Sequence, residues 1–314
     1  MQRFHDLRNW MAELPKPMRR MPLSSLILPG THSSAAYQLD KARLTDRGDD
    51  LHRLDRFKWL PAVRHTLERS QLSQALNLVG QLETGIRQFD FCLSYNPKSE
   101  LFYFSVNRIA FLPASAALKE IADFLATHRG EVVVIRVAGD PANGPRLPTE
   151  LVEQFLDCVD NLFGPLLIPN ALTLRQLTLE RQCQLRQRVL FSWRGKAYHR
   201  PWLWRLTPLM TNNQSASVER KLQFTSLLLG KLGGVSKPRE GYVIMSLALQ
   251  HSADQDHAEQ THELHRRMYN ELAAVPDEVW ANFHVIEVDL ADERFVRWVI
   301  SLNYSLAGRM ALRH

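Results

Sequence analysis

Gly130-Glu131-Val132-Val133-Val134-Ile135-Arg136-Val137 follows a helix-patterned segment, residues 114–128, that stops at Arg129-Gly130. A β-branched run of this kind, residues 131–137, reads as a strand covered on both faces, and such strands belong to parallel sheets flanked by helices. Outward from it the same alternation recurs. Strand-like runs at 24–28, 85–93, 101–106, 188–193, 242–247 and 283–288 are interleaved with helix-patterned segments at 148–163, 218–232, 257–274 and 293–303. Such alternation over 314 residues predicts an α/β fold, an irregular (β/α)8 barrel of the TIM type built as a single domain. Chemistry in such a barrel sits just beyond the C-terminal strand ends, so the residues that follow each strand are the diagnostic ones.

Hydrophobic residues make up 45% of the chain and charged ones 23%, which supports a sizeable core and excludes a disordered, coiled-coil or collagen-like chain. The net charge is +6, from 39 basic and 33 acidic residues, with Arg far outnumbering Lys. Asp and Glu are interleaved with the cations almost throughout, which argues against nucleic-acid binding. Cys92, Cys158 and Cys183 are odd in number and contain no CxxC pair, so neither a disulfide framework nor a zinc site is expected. The first residues lack the apolar stretch of a signal peptide. The longest apolar run, 109–118, is broken by Pro113 and falls short of the ~20 residues that span a membrane. The expectation is a cytoplasmic protein, or one peripheral to a membrane. Residues 1–21 read as an N-terminal extension ahead of a barrel at 22–314, and a densely charged insertion at about 36–80 reads as a partly helical lid or rim.

His32 stands just beyond the first strand in Pro29-Gly30-Thr31-His32-Ser33-Ser34, where an imidazole can carry a proton near neutral pH. Asp90 closes Gln81-Leu82-Glu83-Thr84-Gly85-Ile86-Arg87-Gln88-Phe89-Asp90, a carboxylate in an apolar run, and burial there demands a cation, a histidine or a metal beside it. Together these segments resemble the phosphatidylinositol-specific phospholipase C X-domain family. Its first strand ends in a Pro-Gly-Thr-His-Asp/Asn-Ser-like motif, and its second carries Gln-Leu-x-x-Gly-Ile-Arg-x-Leu/Phe-Asp. The likeness extends over residues 22–303, through 124–137 to Val285-Ile286-Glu287-Val288-Asp289. It implies a phosphoric diester hydrolase on a TIM-type barrel, acting on a phosphoinositide-like or other phospholipid headgroup. One His would be the general base on the attacking hydroxyl, a second would protonate the leaving oxygen, and an Arg or a calcium ion would neutralise the phosphoryl charge.

His32 and Asp90 are therefore the catalytic candidates, and other positions depart from the family pattern. Ser33 replaces an acid or amide, Cys92 stands where the family has Arg or Asp, and residues 101–106 contain no His. The fourth strand ends in Val137-Ala138, with Asp140 slightly beyond. Cys92 cannot replace a guanidinium, and Asp90 alone is a poor calcium site because that ion takes about six to eight oxygens, so the expectation is no cofactor, with calcium a poorly supported alternative. Arg194 and Lys196 follow the fifth strand and can hold a phosphate; His251 follows the sixth. With Ser33 and Cys92 they make up the candidate substrate-binding set.

Residues 193–205 interleave Trp193, Tyr198, Trp202 and Trp204 with Arg and His. Such a mixture suits peripheral contact with an anionic bilayer, and equally a loop whose rings pack on the barrel rim. The departures also leave open a catalytically degenerate barrel that binds headgroups or a protein partner without turnover. A glycerophosphodiester-type enzyme would need a cluster of carboxylates, and the sequence offers none.

Overall fold

The computed structural model describes residues 6–38, 72–106, 109–139, 147–206, 208–211, 215, 217–232, 242–250, 256–272 and 274–311. Most of the charged insertion (39–71), Asp140 and His251 lie outside the described residues. In chain order the main elements are β1 (Leu28–Thr31), α1 (Leu78–Thr84), β2 (Gln88–Asn96), β3 (Leu101–Val106), β4 (Ile109–Pro113), α2 (Ala114–Thr127), β5 (Val133–Ala138), α3 (Thr149–Phe163) and α4 (Leu179–Leu185). There follow β6 (Val189–Arg194), β7 (Leu203–Trp204), β8 (Pro208–Thr211), α5 (Val218–Leu232), β9 (Tyr242–Ser246), α6 (His257–Leu272), β10 (Val285–Val288) and α7 (Glu293–Ala311).

Eight strands run parallel in the order β7-β6-β5-β2-β1-β10-β9-β8, which is the chain order wrapped into a ring. The sheet curls into the expected single-domain barrel. Among the described residues no pairing joins β7 to β8, so the barrel is irregular and open along that seam. Burial follows the sequence pattern that predicted it. Every residue of β5 is buried, and α2 turns Ala114, Ala117, Leu118, Ile121, Phe124 and Leu125 inward at helical spacing.

Departures from expectation have local causes. Residues 23–25 form a 3-10 turn, Ser25 N–H donating to Pro22 O at 2.8 Å, so the first strand begins at Leu28 and passes through Pro29-Gly30. Arg87 N–H donates to Pro29 O at 3.0 Å; in a parallel ladder the N–H that Pro29 lacks would then donate to Gly85 O. The indole Nε1 of Trp10 donates there instead, at 2.9 Å. Gly85 caps α1 in the left-handed region (φ 105°), which moves the start of the second strand to Gln88. Residues 101–106 are a strand, as expected, but not a barrel strand: β3 is antiparallel to both β2 and β4, because alternation in sequence carries no strand direction. The strands β4, β7 and β8, which the pattern does not reveal, end in Pro113, span two residues and begin at Pro208, respectively.

The N-terminal segment closes the bottom of the barrel, where Leu7, Trp10, Met11, Leu14 and Met18 join the core. Arg87, the arginine of Gly-Ile-Arg, belongs to this end. Fully buried, its Nε donates to Glu131 Oε2 at 2.8 Å and its Nη atoms to the carbonyls of Leu82, Ile86 and Arg8. Glu131 in turn accepts the amides of Met11 and Ala12. Among the described residues no helix is long and apolar enough to cross a membrane.

Arg87→Met leaves Glu131 buried without its cation. The unfolding free energy is expected to fall by about 3–5 kcal/mol, read from the urea midpoint at unchanged slope. A loss below about 1 kcal/mol would mean that this pair does not hold the N-terminal segment to the barrel.

Candidate active site

Residues two apart on a strand share a face, so register decides which side chains meet inside the barrel. Gly30 pairs with Glu287 on one side and Gln88 on the other, and Asp90 pairs with Arg136. Two residues on from Gly30, Gln88 and Glu287 stand His32, Asp90 and Asp289. Four adjacent strands therefore deliver an imidazole, two carboxylates and a guanidinium to the C-terminal end of the barrel. A side chain at Gly30 would displace its neighbours: a Cβ would fall 2.9 Å from Val285 Cγ1 and 2.2 Å from Gln88 Oε1, so both would have to shift.

His32 Nδ1 lies 3.0 Å from Asp289 Oδ1, and the second oxygen of this fully buried carboxylate lies 3.2 Å from Nε2 of His257, the first residue of α6. One carboxylate thus engages two imidazoles. His32 Nε2 is left to Ser33 Oγ, at 3.4 Å, and to whatever enters the mouth. Thr31 Oγ1 donates to Ser34 Oγ, whose hydroxyl also accepts the Asp90 amide at 2.9 Å, so the loop bearing His32 is tied to β2.

Burial alone would lower the His32 pKa, but the charge and hydrogen bond of Asp289, with Asp90 and Glu287 behind it, raise it to about 9. Burial would raise that of Asp289; its two histidines instead hold it well below the ordinary carboxylate range. Lys221 of α5 is fully buried nearby, with Nζ 3.3 Å from Ser246 O. Desolvation brings it down to about 8 against the pull of Asp289 and Glu287.

Arg136 serves the other two carboxylates. Its Nη2 lies 3.1 Å from Asp90 Oδ1, and its Nη1 lies 3.1 Å from Glu287 Oε2. The cation that a buried Asp90 demands comes from the neighbouring strand. Beside the pair is a recess of about 10 Å³, room for one water, lined by Asp90, Arg136, Ser192, Arg194 and Leu206 among others.

Of the sequence candidates, His32, Ser33 and Asp90 come together at the mouth. Cys92 is half-buried one rung above Asp90, and Arg194 is exposed at the rim of the recess. Lys196 turns away to Thr149 Oγ1, at 3.3 Å. Trp193, Trp202 and Trp204 are buried, and Trp204 Nε1 donates to Ile168 O, so residues 193–205 pack their indoles on the rim and expose Arg194, Lys196, His199 and Arg205.

Sequence reasoning does not single out Asp289, Glu287, Arg136 or His257. The first three carry the signal that marks Asp90, a charge within or at the end of an apolar run; His257, at a helix start, carries none. Among the described residues no three His, Cys, Asp or Glu side chains are grouped so as to hold a metal ion.

No family model matches the chain. It is 28% identical over 204 residues to human "PI-PLC X domain-containing protein 2", covering 62% of this chain and 66% of that protein. It is 27% identical over 207 residues to human "PI-PLC X domain-containing protein 3", covering 62% and 64%. The chain thus spans a little under two thirds of these relatives' length. Among solved structures it shares its fold with the phosphatidylinositol-specific phospholipase C from Listeria monocytogenes (TM-score 0.64, 15% identity, 95% of this chain and 98% of that one). The Staphylococcus aureus phosphatidylinositol-specific phospholipase C has the same fold (TM-score 0.67, 12% identity, 96% and 97%).

The His32–Asp289 pair has a pH signature. Its contribution to stability is fully present below the ordinary histidine pKa of about 6.5 and is lost as pH rises through about 9. The melting temperature of Asp289→Asn should lack this alkaline loss, and its His32 imidazole should titrate, by NMR, close to the ordinary value. An imidazole that titrates normally in the unmodified protein would disprove the pairing.

Proposed function

From the premise that the chain is a PI-PLC X-domain-like protein with a phospholipase C-like phosphodiesterase fold, we propose that it is a phosphoric diester hydrolase acting on phosphoinositide-like headgroups, with His32 as general base. The supporting observation is the His32–Asp289 pair at the C-terminal mouth of the barrel. Asp289 holds Nδ1 protonated, so neutral His32 takes the proton of the attacking hydroxyl on Nε2. The new P–O bond forms, the bond to the leaving alkoxide breaks, and charge on the phosphoryl oxygens is met by the guanidinium of Arg136. Arg136 fills the role for which Cys92 is unsuited. Among the described residues the other imidazoles near Asp289, His257 and His265, are both buried and His257 is held on the carboxylate, so the leaving oxygen takes its proton from solvent or from a residue outside the described ones. The exposed cations of 193–205 face the phosphates of an anionic bilayer when the substrate is presented in one.

A second reading is favoured by one observation: Arg136 already serves two carboxylates. In that case the barrel binds an inositol phosphate headgroup or a protein partner and does not turn it over.

Purified protein assayed on phosphatidylinositol and lysophosphatidylinositol, with and without calcium, separates the two. Hydrolysis lost in His32→Ala supports the first reading; headgroup binding without hydrolysis under all conditions supports the second. Since the base must be neutral, kcat/KM should climb about tenfold per pH unit up to about 9. If solvent supplies that proton, a nitrophenyl leaving group should outpace an alkyl one by about 10²–10⁴-fold, and equal rates would point to an acid outside the described residues, such as His251.

A further inference from the structure

The loops that follow β1 and β10 carry His32 and Asp289, and each turns sharply. Ser33 (φ 46°) and Leu290 (φ 47°), the residues immediately after the pair, both sit in the left-handed region, which costs a side-chain-bearing residue about 1 kcal/mol or more and persists only where neighbours enforce it. The neighbours here are Ser73 and Gln74. Gln74 is buried; its Nε2 donates to His32 O at 2.8 Å and to Val288 O at 3.2 Å, and its Oε1 accepts the amide of Ala291 at 3.3 Å. Ser73 O accepts the amide of Leu290 at 2.7 Å, and the amides of Ser73 and Gln74 donate to Ala36 O.

We infer that Gln74 is a positioning residue that seats His32 against Asp289 by bridging the two loops that carry them. A primary amide is the side chain that fits: two carbonyls need two N–H donors, and the Ala291 amide needs an acceptor on the same group. A carboxylate cannot donate twice, and an ammonium cannot accept. Gln74 touches neither ring nor carboxylate and acts through backbone alone. Its bearing on turnover rests on the reading of His32 as the base, whereas its bearing on the imidazole's titration does not.

The titration is set by groups from several elements. Asp289, Asp90 and Glu287 face His32; His257 and His265 of α6 and Lys221 of α5 face Asp289; Arg136 of β5 faces Asp90 and Glu287. The loops carrying His32 and Asp289 are also joined directly, His32 N–H donating to Val288 O at 3.1 Å, and of the contacts around the imidazole the one with Asp289 is the one that the Gln74 bridge spans. Gln74→Met keeps the shape and removes the polar groups, and Gln74→Asn is one methylene too short to reach. Asn303→Leu is the control, because Asn303 makes the equivalent bridge at the other end of β1, accepting from Ile27 N and donating to Ile27 O.

Imidazole NMR titrations, assigned with His32→Gln, are expected to show the His32 midpoint falling by about one unit or more in both Gln74 variants and staying in place in Asn303→Leu, whatever its melting temperature. A midpoint unchanged in a folded Gln74 variant, or lowered equally in Asn303→Leu, overturns the proposal. Absence of phosphodiesterase activity in every protein, with the shift present, would overturn the hydrolase reading and leave the bridge standing.

Discussion

Glu287 and Asp289 stand fully buried inside a barrel whose walls are hydrocarbon, and Asp90 is largely buried beside them. The rest of the mouth is arranged around that constraint. Isolated buried charge is too costly to persist, so each carboxylate meets a cation or imidazole on an adjacent element: Arg136 for Asp90 and Glu287, His32 and His257 for Asp289. The pairing is possible because a parallel register places residues of neighbouring strands at one height, and the two-residue period stacks a charged rung above Gly30 and Gln88. A one-residue slip in β10 or β2 would turn these groups to the outer face.

Charge also organises the opposite end, with a different result. Arg87 and Glu131 are buried as a pair, yet every donor and acceptor around them belongs to the chain's own backbone or to each other, and Phe124 covers the guanidinium at 5.0 Å. Nothing there is open to a ligand. At the mouth, by contrast, His32 keeps one ring nitrogen on the accessible side and Arg194 borders the recess. The same economy of pairing closes one end of the barrel and leaves the other chemically available.

Much of this fold is legible in the sequence because the strands β5, β6 and β9 are short apolar runs covered on both sides, and helices such as α5 carry their full bounds in the periodicity. What is not legible has physical causes. Two-residue β7 offers no pattern to detect, the antiparallel turn of β3 is invisible to any alternation, and Gln74 differs in no local way from an exposed glutamine. The candidate site is read in part: His32 and Asp90 stand out by context. Asp289, Glu287 and Arg136 become visible only when the cost of burying Asp90 is applied evenly to every charge in a strand. Residues 193–205 show the opposite limit, since composition does not tell whether an indole faces lipid or packs against its own barrel.

A tube slit along its length surrenders much of its torsional stiffness and widens by spreading the cut. In this barrel β7 and β8 border the slit, and two strands on either side separate it from the wall formed by β10, β1, β2 and β5. That wall, which carries His32, Asp90, Arg136, Glu287 and Asp289, is laced strand to strand by its own ladders, so the spacing of its charges is fixed without any link across the seam.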